Sequence, residues 1–381
     1  MTAWSDDERL WMKRAFALAV RSPRTHPNPR VGAVLVRDGV CVGEGWHCGI
    51  GTDHAEAMAL MAAGDLATGA TLFVTLEPCS HPVRADGTLR IPCASRCMDA
   101  GVARVVVAMV DPDRQVAGRG LAQLRASGIG VDIGLYSDRV AALLRGYSHQ
   151  RRTGYPLLTH KVAMTLDGKT AAVGGDSRWV TGASARRAVH RARRLADAVV
   201  VGVGTVLADD PALDVRLPGA LPVHNPIPVV LDSALRIPAS ARVVRPGAVV
   251  ATVAGVAGSA ERNGLIERGV EIWELPPGGD GRVDLRALRS AMASRGWCDV
   301  LLEAGGTLAE AFHAAGLIDR MWVFVAPKVI GGRAAPTPMD GCGLSGLIAD
   351  AHRLTNVRVR RYGDDIAIEG DMVRSESDDV S

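Results

Sequence analysis

The sequence predicts two layered α/β domains in tandem. Three observations carry that expectation. At 381 residues the chain exceeds what one ordinary core organises. Short β-branched runs alternate with stretches of helical periodicity along most of it, the pattern of strands layered against helices. The alternation breaks once, at YSHQRRTGYP (147–156), which is polar, basic and closed by Gly-Tyr-Pro. The boundary is placed there, giving domains at 1–150 and 151–373, with the polar, acidic tail 374–381 expected to be disordered.

In the first domain, Leu10, Met12, Phe16, Ala17 and Val20 fall at helical spacing and predict a helix over 6–21. Pro27 and Pro29 fix an extended loop after it. VGAVLV then turns through Arg37-Asp38-Gly39 into VCVGEGW, a β-hairpin. AEAMALMAAG is a helix stopped by Gly64. TLFVTLE and ARVVVAMV read as buried strands with a helix between them, and GLAQLRASG and VDIGL add a further helix and strand. In the second domain LLTHKVAMT, AVVVGV, IPVVLDS, AVVATV, DVLLEAGG and MWVFVAPKVI are strands. SARRAVHRARRLA and TLAEAFHAAG are helices, and VRVRRYG turns at Asp364-Asp365 into IAIEGDMV as a closing hairpin.

Composition excludes several classes. With 48% apolar and 22% charged residues the chain is ordinary globular protein, and a net charge of +3 exerts no strong pull on nucleic acid or anionic membrane. The N-terminus has no apolar core suited to a signal peptide, and no stretch reaches the length of a membrane span. Of seven cysteines, Cys79, Cys93 and Cys97 cluster, which points to metal or thiol chemistry in a reducing cytoplasm and not to a disulfide framework.

That cluster belongs to a larger constellation. His54-Ala55-Glu56 opens a helix, Glu77-Pro78-Cys79 ends a strand, and Pro92-Cys93 precedes another helix. Zinc takes borderline-soft ligands in tetrahedral geometry, so His54, Cys79 and Cys93 would leave a fourth position for water. Zinc lowers the pKa of such a water to ~7. Glu56, two residues past His54, is placed as the carboxylate that takes the proton and passes it to the ring nitrogen and departing amine. An H-x-E with a later P-C and second Cys resembles the zinc nucleobase deaminases. The spacing departs from their compact form: SHPVRADGTLRIP separates Cys79 from Cys93 and must loop out. His81 and Cys97 remain competitors for the third position, with Cys93 preferred because Pro92 precedes it and Gly101 follows at the family's distance. Asn28 in HPNP either holds its own turn or bonds the substrate's sugar or base.

A more specific resemblance covers residues ~8–370. THPNPRVGAVLV, GEGWH, DHAEAMAL, TLEPCSH and AGVARVV-x₃-DPD-x₃-AGRG closely resemble the deaminase half of the bifunctional riboflavin-biosynthesis deaminase/reductases. KVAMTLDGKTA, GDSRWVTG, GVGTVLADDPALDVR, VVLDS, LLEAGGTLAEAF and VAPKVIGG resemble the reductase half. The resemblance implies a cytidine-deaminase-like three-layer α/β/α domain followed by a dihydrofolate-reductase-like α/β domain. It implies one zinc ion per chain and NADPH. It also implies a small-molecule substrate, a diaminopyrimidinone carrying a ribosylamino 5′-phosphate, which is deaminated and whose ribosyl group is then reduced to ribityl. A homo-oligomer is expected, without nucleic-acid or membrane partners. The alternative is a reductase alone, its zinc site disabled by the insert.

For the reductase, backbone N–H groups at the Gly305-Gly306-Thr307-Leu308 helix start suit a pyrophosphate. On the helix 184–197, Arg187, Arg191 and Arg194 point away from the apolar side, while Arg193 borders it and is the one to reach a cleft, where its fork would suit a phosphate. By the resemblance, Ser177, Arg193, Leu213, Arg216 and Glu303 contact substrate. Ala163, Trp179, Thr205, Asp209, Ser233 and the Gly305 loop contact NADPH. Asp209 could instead cap its turn and Trp179 could be a core aromatic. Lys161 is a possible polar partner of the reacting sugar, Asp167 is left without a role, and Arg236 is a candidate reader of the extra phosphate of NADPH.

Overall fold

Helix α1 (Asp6–Arg21) starts at a capping box: the Ser5 side chain accepts from the Glu8 N–H, and Glu8 accepts from the Ser5 N–H at 2.8 Å. Its buried stripe, Met12, Ala15, Leu18 and Ala19, lies on a five-stranded sheet. That sheet is ordered β2 (Val40–Trp46), β1 (Gly32–Arg37), β3 (Thr71–Leu76), β4 (Arg104–Met109), β5 (Gly130–Ile133). β1 runs antiparallel to both its neighbours, and β3, β4 and β5 are mutually parallel.

Glycines set the layers. A Cβ on Gly32 would lie 2.1 Å from the Ala15 carbonyl of α1, and one on Gly45 would lie 2.1 Å from the Ala55 carbonyl of α2 (Ala55–Ala63). Gly45 pairs with Ala33, the neighbour of Gly32, so the two glycines face opposite sides of the pleat. α1 and α2 therefore cover opposite faces, which makes three layers. The remaining helices are α3 (Cys93–Asp99), α4 (Arg119–Ala126), α5 (Ser137–Leu143) and α6 (Arg145–Thr153). The last corrects the sequence reading of a break at 147–156: Tyr147 and His149 are buried on one face of a helix whose other side is basic, and Gly154, in the left-handed region at φ 78°, ends it. A short polar helix of this kind carries too few apolar positions to show in periodicity.

The computed structural model describes residues 4–22, 25–82, 89–114, 116–217, 225–255 and 259–373, so the tail 374–381 lies outside the described residues. The chain divides into two compact units between Gly154 and Tyr155. The second unit is built on a nine-stranded sheet. Its order is β10 (Glu271–Leu275), β9 (Val249–Val253), β8 (Ile227–Leu231), β7 (Ala198–Gly202), β11 (Asp299–Leu302), β6 (Leu157–Thr165), β12 (Arg320–Ala326), β14 (Asp365–Met372), β13 (Leu354–Tyr362). From β10 to β12 every pairing is parallel, and the β13–β14 hairpin closes the edge antiparallel, turning at Gly363-Asp364. Parallel strands are buried on both faces, which is why β7 reads as an apolar run and β9 is interrupted only by the buried Thr252. Helices α7 (Ala183–Leu195), α8 (Val203–Asp209), α9 (Ser259–Ile266), α10 (Leu285–Ser294) and α11 (Gly306–Ala314) connect them. Among the described residues no helix is long and apolar enough to cross a membrane.

Candidate active sites

In the first unit, α2 presents the site because its Ala55, Ala59 and Ala63 stripe sits directly on Gly43 and Gly45 of β2. His54 is the residue before the helix and Glu56 lies in its first turn, buried. β3 runs out into Pro78-Cys79, and Cys93 opens α3 beside it, its N–H 3.4 Å from the Cys79 sulfur. His54 Nδ1 lies 3.7 Å from Cys79 Sγ and 3.4 Å from Cys93 Sγ. One ligand atom from each of the three falls within 4.8 Å of the others. The insert thus returns Cys93 to the site, closed by the Arg90 N–H donating to the Pro82 carbonyl (2.7 Å), while residues 83–88 lie outside the described residues.

The two competitors stand elsewhere. Cys97 is buried in the hydrophobic core, where burial pushes its thiol pKa up. His81 Nε2 faces the Arg90 guanidinium at 3.3 Å, and that guanidinium also meets His54 Nε2. The two clustered thiols share a proton: the Cys93 hydrogen bond lowers the Cys79 pKa and raises that of Cys93. A pair that gives up its first proton readily, beside an imidazole, is the donor set tetrahedral zinc takes, with one position left over. Burial raises the Glu56 pKa, against the attraction of His54.

Sequence reasoning missed two residues here. His47, in GEGWH, is buried, and its ring packs edge-on to His54 at 5.5 Å. Its Nδ1 meets the Asp53 carbonyl (3.3 Å) and its Nε2 the Asn28 amide nitrogen (3.2 Å). Burial, then the neighbouring His54, brings its pKa down to about 4, so it is neutral at pH 7. The Asn28 side chain is thereby tied to His47, the neighbour of His54; its turn is held by Thr25 Oγ1 donating to the Asn28 carbonyl (2.8 Å). Glu77, in the same motif as Cys79, accepts backbone N–H groups from Asp111 (3.2 Å), Gly118 (2.9 Å), Gly120 (2.9 Å) and Leu121 (3.3 Å). The EPC and DPD…AGRG motifs are two sides of one hydrogen-bonded joint.

In the second unit the loops at the C-terminal ends of the parallel strands enclose a cavity of about 1100 Å³, the position where open α/β sheets bind ligands. Ala163, Thr205, Asp209, Ser233 and the Gly305–Leu308 segment line it. So do Ser177, Arg193, Leu213, Glu303 and Lys161. α11 begins at Gly306, where a Cβ would lie 2.5 Å from Asp340 Oδ2. Two expected residues stand outside that lining. Trp179 is exposed under the Arg186 guanidinium (4.4 Å to the ring centre), which removes the core-aromatic reading. Arg216 is half exposed and pairs with Asp214 at 3.3 Å.

Charges concentrate at one corner. Arg193 Nε and Nη2 donate to the two Glu303 oxygens at 2.7 and 2.9 Å, and Lys161 Nζ lies 3.8 Å from Glu303. Burial raises the Glu303 pKa, but Arg193 and Lys161 outweigh it and hold the carboxyl at about 2. Burial lowers the Lys161 pKa. The arginine fork expected to grip a phosphate is thus engaged by a carboxylate, and its Nη1 donates to the Asp214 carbonyl (3.2 Å). Asp209 accepts from Ser177 Oγ (3.2 Å), and the neighbouring Asp210 accepts the distant Arg242 N–H (2.8 Å). Asp167 holds the VIGG loop, accepting from the Ile330 (3.2 Å) and Gly331 (2.6 Å) N–H groups.

Comparison with known proteins matches each unit to a family model. Residues 5–109 match the cytidine and deoxycytidylate deaminase zinc-binding region, and residues 156–368 match the RibD C-terminal domain. The riboflavin biosynthesis protein RibD of Escherichia coli is 40% identical over 95% of this chain and 98% of its own. The chain belongs to the RibD family. RibD of Mycobacterium tuberculosis is likewise 40% identical, over 96% of each chain. The solved structure of Acinetobacter baumannii RibD superposes with a TM-score of 0.80 at 36% identity, covering 97% of this chain and 99% of its own. A Thermotoga maritima diaminohydroxyphosphoribosylaminopyrimidine deaminase/5-amino-6-(5-phosphoribosylamino)uracil reductase gives 0.78 at 30% identity, over 96% and 99%. As a RibD family member the chain is a bifunctional enzyme of riboflavin biosynthesis, with a zinc-binding deaminase domain and an NADPH-dependent reductase domain. The reductase-only alternative is set aside.

Proposed function

We propose that the first domain hydrolytically deaminates a diaminopyrimidinone bearing a ribosylamino 5′-phosphate. The second then reduces its ribosyl group to ribityl. The observation that carries the reading is the His54–Cys79–Cys93 cluster with the buried Glu56 carboxyl in the adjoining helical turn. His54, Cys79 and Cys93 hold zinc, which when bound supplies an acidified water. Glu56 carries two protons in turn, one from the acidified water to the ring nitrogen and one from the hydroxyl added to the ring carbon to the departing amine. Asn28, fixed by neutral His47, bonds the substrate.

In the reductase, NADPH supplies the hydride when bound. Ala163, Thr205, Asp209, Ser233 and the Gly305–Leu308 segment hold it, and Trp179, outside that lining, is a further proposed contact. Ser177, Leu213, Arg216 and Glu303 contact the substrate. The geometry favours Arg193 as the residue that orients Glu303 over one that grips a phosphate, and Lys161, beside Glu303, serves as the polar partner of the reacting sugar. The same reading carries a cytoplasmic homo-oligomer without nucleic-acid partners.

The test is zinc content in purified wild type, Cys93→Ser and Cys97→Ser, with deaminase turnover in Glu56→Gln. About one zinc per chain, lost with Cys93→Ser alone, is expected. Glu56→Gln should keep the metal and the reductase while losing deamination. Normal deaminase turnover in Glu56→Gln would sink the catalytic assignment, and retention of zinc by Cys93→Ser would sink the ligand set.

A further inference from the structure

The parallel strands give the reductase cavity a direction. Along their C-terminal ends the order β6, β11, β7, β8 places Ala163 and Lys161 at one end, the Gly305-Gly306 helix start and Thr205 in the middle, and Ser233 at the other. Three inter-strand steps separate β6 from β8, about 14 Å. If the nicotinamide lies by Lys161 and Glu303 and the pyrophosphate by Gly306, the adenosine end reaches the loops after β8 and β10.

Those loops bring two arginines to the cavity. Asp232, fully buried, accepts the Ile237 N–H (2.7 Å), and Leu235 takes the left-handed conformation (φ 49°), so the D-S-A-L-R turn delivers Arg236 to the cavity wall beside Ser233. Ser233 Oγ in turn accepts the Val283 N–H (3.1 Å), which ties the second loop, Gly278–Val283, to the first and brings Arg282 to the same wall. The Arg236 side chain is 62% exposed and lies at a loose 3.9 Å from the Asp232 carboxylate. Arg282 is 64% exposed and 3.7 Å from Asp280. The remaining charges facing the pair are accounted for: Asp284 caps α10 by accepting the Ala287 N–H (2.7 Å), and Arg286 donates to the Ala315 carbonyl (3.2 Å). Gly278 and Gly279 leave the approach between the arginines without side-chain bulk.

We infer that Arg236 and Arg282 read the ribose 2′-phosphate that separates NADPH from NADH. Two cations at the adenosine end, each weakly held, suit a doubly charged phosphate, for which guanidinium offers paired donors. This rests on the proposed placement of NADPH in the cavity. The test is a binding titration of NADPH, NADH and 2′,5′-ADP against wild type, Arg236→Ala, Arg282→Ala and the double variant, with no turnover involved. The expected result is a wild type that prefers NADPH. Each single variant should weaken NADPH and 2′,5′-ADP by roughly ten- to hundredfold and leave the Kd for NADH within about threefold. Retained NADH binding shows that the variant is folded. NADPH binding unchanged in the double variant, or NADPH and NADH weakened equally, would overturn the inference and leave the reductase reading in place. A wild type that binds neither dinucleotide would overturn both.

Discussion

At Glu303 three charges meet in a corner that is almost dry: the side chains of Arg193 and Glu303 are each 11% exposed and that of Lys161 is 17% exposed. Removing one partner from a buried pair leaves the others uncompensated, at a cost of ~3–5 kcal/mol. For a unit of this size that is a fall of roughly 10 °C in Tm, and Glu303→Gln should show it together with loss of reductase turnover. The pH dependence has a fixed sign. The folded pKa of about 2 lies below the unfolded carboxyl at ~4.3, so the stabilisation is present above ~4.3 and fades as the pH falls toward 2. The gap between wild type and Glu303→Gln should therefore be constant from pH 8 to 6 and narrow only below about 4.3; a gap already closed at pH 6 would rule the pairing out. Arg193 was visible in the sequence as bordering an apolar helix face and Lys161 as a polar partner for the reacting sugar, but that each would turn to Glu303 was not. Ion pairing between residues so distant in the chain leaves no periodic mark.

The elements that carry the deaminase residues are positioned by contacts with no side chain on one side. Gly45 on β2 lets α2 lie so close that an added Cβ would meet the Ala55 carbonyl at 2.1 Å and the Ala59 nitrogen at 2.7 Å. Gly45→Ala must push the first turn of α2 outward, and that turn carries Glu56 and begins beside His54. Overpacking of this kind costs about 1–3 kcal/mol. The variant should lose deaminase turnover and zinc affinity, measured by turnover and by chelator competition, while the reductase keeps its rate. Unchanged zinc affinity would show that the helix position does not govern the site. The residue types of the site were legible because zinc restricts them: imidazole and thiolate at the ends of elements, with a carboxyl beside them, stand out from a core. Glu77 was not legible in its role. Its partners are four backbone N–H groups, which any residue supplies, so nothing in the sequence of 111–121 announces that a carboxylate is needed. Cys97 shows the converse, a thiol that resembled a ligand by spacing and is an apolar core residue by burial.

At the scale of the whole chain, alternation of strand and helix was enough to read two α/β domains, because parallel strands buried on both faces are long apolar runs in any sequence. The course of α6 through the segment read as a break was hidden by its polarity. The cores themselves are separate in sequence: one runs from Met12 to Tyr147 and the others from Leu158 onward. Zinc bound at His54, Cys79 and Cys93 would tie three elements of the first core alone, and NADPH would bridge loops of the second alone. A ligand that binds only the native state stabilises it by about 2.7 kcal/mol at a hundred times its Kd, or roughly 5–10 °C for units of this length. Calorimetry of the intact chain should accordingly resolve two transitions. A chelator should lower one and leave the other, saturating NADPH should raise the second and leave the first, and Glu56→Gln should alter neither response. A single transition moved by both treatments would mean that the two units unfold as one, and that the loss of zinc from the deaminase reaches the reductase through the fold.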